Sequence, residues 1–311
     1  PTAPELVLGT AQLGMPYGIA NTTGTPDEGE AVALVQAALA GGIRTIDTAR
    51  AYGDAELRVG LALSGSRERV TVVTKADPLT GVDAGAPAFL ARDKTLESLA
   101  MSRDMLQMVA LDVVLLHRAS HRRYWGGAVW DVLRRERDAG AIRRIGVSVQ
   151  SPAELADSLD DPEVSHVQLP FNLLDHRWEE AGLPDRLRKR GDVTVHARSV
   201  FLQGLLAAES GAPWPNVPGA DPVEIEMAGR DLAAELGLAG LPGLALAYAR
   251  SQDWIDGVVI GVETEAQLAA NLASFGDPRL TDAAMVRIRS TVPRVPDRLL
   301  DPSAWPRLDA T

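Results

Sequence analysis

The sequence predicts a (β/α)8 barrel, the TIM-barrel class of α/β fold, from three observations. Eight short apolar runs recur along the 311 residues, and longer amphipathic segments separate them. Each run is apolar at consecutive positions, which is typical of parallel strands that are buried on both faces. Strand and helix alternate eight times, and eight such units close into a barrel.

The predicted strands are spread along the chain at regular intervals. They cover residues 6–10, 45–48, 70–74, 111–116, 142–148, 164–168, 193–197 and 257–260. Helical periodicity with one apolar face lies between them, at residues 27–40, 93–108, 128–139, 180–190 and 265–274. The glycine- and proline-rich stretch 211–222 is predicted to be a long loop within the seventh repeat.

An open, doubly wound sheet is the alternative architecture, because it also alternates strands with helices. That fold opens with a Gly-x-Gly-x-x-Gly turn, whereas residues 9–14 of this chain read Gly-Thr-Ala-Gln-Leu-Gly. Since neither a linker nor an internal repeat marks a second domain, we expect residues 1–311 to form a single barrel domain.

The composition narrows the classes of function. A formal net charge of −11, with the arginines scattered along the chain, argues against nucleic acid and favours a small-molecule partner. The absence of cysteine excludes disulfides, thiolate nucleophiles and cysteine-based metal sites, and we expect no metal. Because no apolar run reaches the roughly 18 residues that cross a bilayer, we expect a cytoplasmic protein without a membrane partner.

Polar residues follow three successive predicted strands. Asp47 and Tyr52 follow the second strand, Lys75 ends the third, and His117 follows the fourth. Because the active site of such a barrel gathers at the carboxyl ends of its strands, these side chains are expected to meet at one mouth. Lys75 is one of only three lysines against 28 arginines, and a charge at this position needs a partner.

These four residue types form a coherent acid–base set. Lys75 beside Tyr52 favours the ionised phenol, and Asp47 holds the lysine. Tyr52 can then protonate a carbonyl oxygen as a hydride arrives, while His117 donates a hydrogen bond that orients that oxygen. Each residue taken singly also has a structural explanation, such as a helix cap or packing. Their occurrence in successive repeats favours catalysis.

The sequence resembles the aldo-keto reductase family over nearly its whole length. The resemblance is carried by residues 8–14 (Leu-Gly-Thr-Ala-Gln-Leu-Gly), 46–49 (Ile-Asp-Thr-Ala), 52–53 (Tyr-Gly), 74–75 (Thr-Lys) and 115–117 (Leu-Leu-His). It implies a catalytic tetrad of Asp47, Tyr52, Lys75 and His117. It also implies an NAD(P)H-dependent oxidoreductase that transfers hydride between nicotinamide and an aldehyde, ketone or sugar-like alcohol. The opening segment is similar to that of bacterial members, some of which act in sugar or secondary metabolism.

Other strand ends resemble the family's cofactor-binding segments. The residues that the resemblance assigns to the cofactor are Gly9, Thr10, Ala11, Asp47, Ser148, Gln168, Arg198, Ser199, Phe201, Gln203, Gly261, Glu263, Thr264, Gln267 and Asn271. The hydroxyl of Ser148 and the amide of Gln168 can clamp a carboxamide and so select the ring face that meets the substrate.

Two departures from the family pattern concern the cofactor. Arg198 stands where the family usually has an aromatic residue against the nicotinamide, and Val149 replaces the usual asparagine. A guanidinium can stack on a ring, but its charge is expected to change the electronics of the cofactor. Near the expected 2′-phosphate, Glu263 and Gln267 supply no cation. NADPH is the cofactor that the resemblance implies, and NADH is the alternative.

The substrate pocket is expected to be walled by loops after the third, fourth and seventh strands. The candidate substrate-binding residues are Tyr52, His117, Arg118, Tyr124, Trp125 and Trp178. With Arg122 and Arg123, the loop after the fourth strand is suited to an anionic or polyhydroxylated substrate. The alternative interpretation is a solvated loop with one aromatic anchor.

Two other functions remain open from the sequence. One is a nucleotide-binding sensor or regulatory barrel, against which the intact tetrad weighs. The other is a redox-neutral epimerase or lyase that uses Tyr52 and Lys75 for proton transfer, and Arg198 keeps this interpretation open.

Overall fold

Eight parallel strands, joined in the order of the chain, form a closed barrel in the computed structural model. The structure describes residues 3–65, 70–208 and 211–305. The strands are β1 (Glu5–Gly9), β2 (Thr45–Asp47), β3 (Thr71–Lys75), β4 (Leu111–Leu116), β5 (Ile142–Ser148), β6 (His166–Pro170), β7 (Thr194–Arg198) and β8 (Gly257–Gly261). β1 pairs with both β2 and β8, which closes the sheet. The predicted fold class is confirmed, and each strand lies within two residues of its predicted position.

The helices surround the barrel. They are α1 (Ala11–Gly14), α2 (Glu28–Ala40), α3 (Ala55–Ala62), α4 (Ala88–Met105), α5 (Ala128–Asp138), α6 (Pro152–Leu159), α7 (Arg177–Glu180), α8 (Leu183–Arg190), α9 (Pro222–Glu235), α10 (Gly240–Arg250), α11 (Glu265–Phe275), α12 (Asp282–Thr291) and α13 (Asp297–Leu300). Short 3₁₀ turns cover Ala119–Arg122, Tyr124–Gly127 and Pro302–Ala304. Within the described ranges, no single helix has the length and hydropathy of a membrane span, although α9 and α10, bent by 77°, meet that test as a pair.

Local sequence signals set several of these boundaries. α2 begins with a capping box, in which Asp27 accepts from the Glu30 amide at 2.8 Å and Glu30 accepts from the Asp27 amide at 3.0 Å. The helix predicted at 180–190 begins instead at Leu183, because Gly182 takes a left-handed φ of 66° and ends α7. The predicted loop 211–222 runs to Asp221, whose side chain caps α9.

Successive strand residues face opposite sides of the barrel wall. On β3 and β4, Val72 and Val114 belong to the main core that packs against the helices. Val73 and Val113 form a separate apolar cluster with Leu115. By this alternation, the side chains of the second set point into the barrel. The same alternation directs polar side chains at the strand ends toward the barrel's axis.

Candidate active site

A buried ion pair lies at the carboxyl ends of β2 and β3. Lys75 Nζ donates to both carboxylate oxygens of Asp47 at 2.8 Å and to the carbonyl oxygen of Thr48 at 3.0 Å. Gln168, on β6, donates from Nε2 to Asp47 Oδ1 at 2.6 Å. Asp47 is 3% exposed and Lys75 is 1% exposed. Each charge therefore has its counter-charge and hydrogen bonds in place of water.

Asp47 and Tyr52 keep Lys75 in its protonated, charged form. Burial lowers the pKa of the Lys75 ammonium, but the Asp47 carboxylate and the Tyr52 phenol outweigh burial, so that this pKa is raised. Lys75 Nζ lies 4.9 Å from the centroid of the Tyr52 ring. The structure thus brings a fixed cation against the phenol that follows β2.

The turn that carries Tyr52 is packed tightly against the loop after β1. A Cβ added at Gly14 would overlap the carbonyl oxygen of Tyr52, so only glycine fits this approach. On the other side, Arg50 forms an ion pair with the buried carboxylate of Glu56 and donates to the carbonyl oxygen of Gly53 at 3.3 Å. These contacts hold the turn from two directions.

The rings of His117 and Tyr52 form a T-shaped contact. The ring centroids are 6.1 Å apart and the ring planes are inclined by 81°. Burial, with the charges of Lys75, Arg198 and Arg118, lowers the pKa of His117 to about 3. The imidazole is therefore neutral at neutral pH and has one N–H donor available.

Asp47 and Tyr52 line a cleft of about 300 Å³ that crosses the ends of β1, β2, β7 and β8. Most of the residues assigned to the cofactor line the same cleft. They are Gly9, Thr10, Ala11, Asp47, Arg198, Ser199, Phe201, Gln203, Gly261, Glu263, Gln267 and Asn271. These residues range from Gly9 to Asn271 in the sequence. The fold therefore brings distant parts of the chain together around one cleft.

Three residues assigned to the cofactor lie outside the lining of the cleft. Ser148 is buried at the end of β5. Gln168 lies behind Asp47, with its Oε1 buried and without a partner among the residues that the structure describes. Thr264 caps α11 by accepting from the Gln267 amide at 3.2 Å. Gln267 in turn accepts from the Glu263 amide at 2.7 Å, so these contacts order the loop after β8.

Tyr17 is a cleft residue that sequence reasoning missed. It lies in the loop after β1 and lines the cleft with Tyr52. Burial and the neighbouring Tyr52 raise the pKa of the Tyr17 phenol, which therefore stays protonated. Its position a few residues after a strand end was the available signal, since every such loop borders the mouth.

Arg198 is held at the cleft by neutral acceptors. It donates to Gln150 Oε1 at 2.7 Å, to the Val149 carbonyl oxygen at 3.3 Å and to Ser199 Oγ at 3.2 Å. Gln150 also donates to Asp301, in the C-terminal segment, at 3.4 Å. Sequence reasoning also missed Gln150, because only these tertiary contacts show that it holds Arg198.

The residues proposed to bind the substrate do not all lie at the cleft. Arg118 and Tyr124 are exposed in the loop after β4. Trp125 is buried and donates from Nε1 to the Asp83 carbonyl oxygen at 2.8 Å, so it anchors this loop. The assignment of Trp178 to the substrate is wrong: its side chain is 0% exposed and donates to Asp175 at 2.9 Å, which makes it a core residue.

Comparison with known proteins points to the same family as the sequence motifs. The sequence model of the aldo/keto reductase family matches residues 5–292. Protein tas from Escherichia coli (strain K12) is 29% identical over 320 aligned residues, which cover 87% of this chain and 90% of that protein. Glyoxal reductase from Bacillus subtilis (strain 168) is 30% identical over 181 residues, covering 57% of this chain and 60% of that protein.

Solved structures show the same fold. The holo form of aldo-keto reductase AKR11C1 from Bacillus halodurans superposes with a TM-score of 0.75 at 22% sequence identity. The superposition covers 94% of this chain and 93% of that one. The barrel architecture is thus shared at a low level of sequence identity.

Proposed function

This chain belongs to the aldo/keto reductase family, and from that premise we propose that it is a nicotinamide-dependent oxidoreductase with Tyr52 as its acid–base residue. The observation that carries the proposal is the position of Lys75 Nζ, which lies 4.9 Å from the Tyr52 ring and is bonded to both oxygens of Asp47. A reduced nicotinamide, when bound, supplies the hydride.

The protein's own residues handle the proton. Tyr52 donates it to the carbonyl oxygen during reduction, and the adjacent ammonium of Lys75 stabilises the negative charge that remains on the phenol. Asp47 and Gln168 hold Lys75 and its counter-charge in place, so that little reorganisation accompanies the step. In the opposite direction, the same phenolate accepts the proton of an alcohol.

His117 is suited to orient the substrate oxygen rather than to protonate it. Its pKa of about 3 leaves it neutral over the physiological range. A neutral imidazole donates one hydrogen bond without competing with Tyr52 as the acid.

The cleft fits a nicotinamide nucleotide. The orphaned Oε1 of Gln168 offers a buried acceptor for a carboxamide N–H, beside the catalytic pair. On the β8 side, Glu263 and Asn271 line the cleft and suit ribose hydroxyls. Among the described residues that line the cleft, Arg198 is the only basic one. We therefore propose that the protein uses NADPH and NADH with similar affinity.

A carbonyl screen with both cofactors tests the proposed activity. We include glyoxal because a similar protein is a glyoxal reductase, together with simple aldehydes, ketones and sugars. Oxidation of the reduced cofactor, followed by absorbance, is the measurement. Binding of cofactor without turnover of any carbonyl or alcohol would instead favour a sensor.

Tyr52→Phe is the decisive variant. It removes only the hydroxyl, so we expect cofactor affinity to be retained and turnover to fall by roughly 10²–10⁴-fold. Tyr248→Phe, which removes a hydroxyl on α10 outside the lining of the cleft, is the matched control. Turnover by Tyr52→Phe near the wild-type rate would show that another group supplies the proton.

A further inference from the structure

The guanidinium of Arg198 faces the cleft, and among the residues that the structure describes it has no carboxylate partner. Its three acceptors, Gln150, Val149 and Ser199, are all uncharged. The nearest carboxylate of this network is that of Asp301, which is separated from Arg198 by the amide of Gln150. A half-buried cation held only by neutral acceptors is stabilised further when an anion binds beside it.

Arg118 is a second cation without an ion pair. It follows His117 directly, and no salt bridge or side-chain hydrogen bond involves its guanidinium within the described part of the chain. Its loop neighbours differ in this respect: Arg122 pairs with Asp157 and Asp161, and Arg123 pairs with Asp157. Arg118 is thus the unpaired arginine of this loop.

The other charged groups at the mouth are of both signs, because the carboxylate of Asp77 acts on His121 together with Arg118. Asp47 is neutralised by Lys75, and His117 is neutral. Both Arg198 and Arg118 are close enough to His117 to contribute, after burial and Lys75, to the lowering of its pKa. The two guanidinium groups approach from β7 and from the end of β4, and neither has a carboxylate partner among the described residues.

We propose that the substrate of this protein carries an anionic group, a carboxylate or a phosphate, close to its carbonyl, and that Arg198 and Arg118 bind this group. The inference rests on the proposed function and names the substrate class. A guanidinium presents a planar set of N–H donors that matches both anions. An anion bound there leaves the carbonyl oxygen to Tyr52 and His117.

Matched pairs of substrates test the proposal. Butanal is compared with 4-oxobutanoate, and glyceraldehyde with glyceraldehyde 3-phosphate, using the ratio of kcat/KM for the anionic and neutral members. Because a charge-assisted contact is worth about tenfold or more, we expect a ratio of at least about 10 for one pair, and the favoured pair identifies carboxylate or phosphate. The ratio should fall as ionic strength rises.

Single-residue variants identify which arginines cause the preference for the anionic substrate. Arg198→Gln and Arg118→Gln should each lower the ratio several-fold, whereas Arg134→Gln, at an ion-paired arginine on α5, should leave it unchanged. A ratio near 1 in the wild type, with neutral aldehydes reduced efficiently, would overturn the proposal and leave the proposed function intact. Loss of activity on both members in equal proportion in Arg198→Gln and Arg118→Gln would also overturn it, because these residues would then act on the reaction and not on the anion.

Binding provides a readout that does not depend on turnover. With the oxidised cofactor present, the aldehydes are not reduced, and calorimetry reports their affinity directly. We expect the anionic member of a pair to bind at least about tenfold more tightly than the neutral member, and Arg118→Gln to remove most of that difference. Equal affinities for the two members in the wild type would overturn the proposal, whether or not the protein reduces either compound.

Discussion

Lys75 is a charged residue that the barrel buries almost completely. Its ion pair with Asp47 offsets the free-energy cost of removing this charge from water. The two bonds of 2.8 Å between them replace the water that both groups lose on folding. A buried pair of this kind contributes little net stability relative to apolar residues, but loss of one partner is costly. We therefore expect the pair to orient Lys75 toward Tyr52 more than to raise the free energy of unfolding.

Lys75→Met should lose both turnover and stability. The remaining Asp47 carboxylate would be buried without a counter-charge, which costs about 3–5 kcal/mol of unfolding free energy. The double variant Asp47→Asn/Lys75→Met removes that charge, so it should recover much of the stability but none of the turnover. Urea denaturation and a hydride-transfer assay measure the two effects. Recovery of activity by the double variant would show that Lys75 has only a structural role.

Glu263 is the residue at which cofactor preference should be adjustable. It lines the β8 side of the cleft, where the structure places no basic side chain among the described lining residues. We expect wild-type affinities for NADPH and NADH within about tenfold of one another, and a selective gain of about tenfold or more for NADPH in Glu263→Arg. Calorimetric titration of both cofactors is the measurement. A strong wild-type preference for NADPH that the substitution leaves unchanged would contradict this prediction.

At the scale of elements, the loop after β1 determines where the Tyr52 turn can lie. Gly14 ends α1 directly beneath that turn, and no side chain fits between them. The turn itself is fixed by Gly53, whose φ of 56° is left-handed, and by Arg50. The position of the Tyr52 phenol is therefore set by the contact between two loops and not by β2 alone.

Gly14→Ala should therefore reduce turnover by displacing Tyr52. The added Cβ must push the Tyr52 backbone away, and a displacement of about 1 Å can cost roughly 10²-fold in rate. Gly85→Ala is the control, because a Cβ there meets no atom within 4 Å and the backbone is not left-handed. Steady-state kinetics with thermal unfolding separates misplacement from instability. A Gly14→Ala protein with wild-type turnover would indicate that the turn moves freely.

At the scale of the whole molecule, the barrel encloses a pair of histidines at the opposite end from the active site. The ring centroids of His166 and His196 lie 4.3 Å apart, the ring planes are almost perpendicular, and each residue is 2% exposed. Glu5 lies 3.8 Å from His196 Nε2. Burial lowers the pKa of His196 to about 3, and burial with the neighbouring His196 and Arg144 lowers the pKa of His166 well below its usual range.

The two histidines should make the barrel sensitive to acid. Because their folded-state pKa values are lowered, the unfolded chain binds protons below about pH 6.5 that the folded barrel does not, so stability is lost as pH falls. Each histidine contributes a slope approaching about 1.4 kcal/mol per pH unit between roughly pH 5.5 and 4. We expect His196→Asn to reduce the slope of unfolding free energy against pH by about one proton. Urea denaturation at several pH values measures it, and an unchanged slope would mean that His196 is protonated in the folded protein.

The sequence by itself determined the architecture and the centre of the proposed site. Consecutive apolar residues mark strands that are covered on both faces, and eight such runs placed β1 to β8 within two residues. Because polar residues at strand ends face the mouth of a barrel, the sequence alone indicates that Asp47, Tyr52 and Lys75 lie together. These are local signals, since each depends on one strand and the residues that follow it.

The tertiary structure alone decided which side chains meet across the barrel. Gln168 bonds to Asp47 across 121 residues of sequence, and Arg198 is held by Gln150 from a different strand end. Trp178 resembled a pocket residue in the sequence but is enclosed by the core. The physical reason is that closure and the stagger of the strands set which residues share a layer inside the barrel. Local periodicity gives the face on which a residue lies but carries no information about the partner that it meets there.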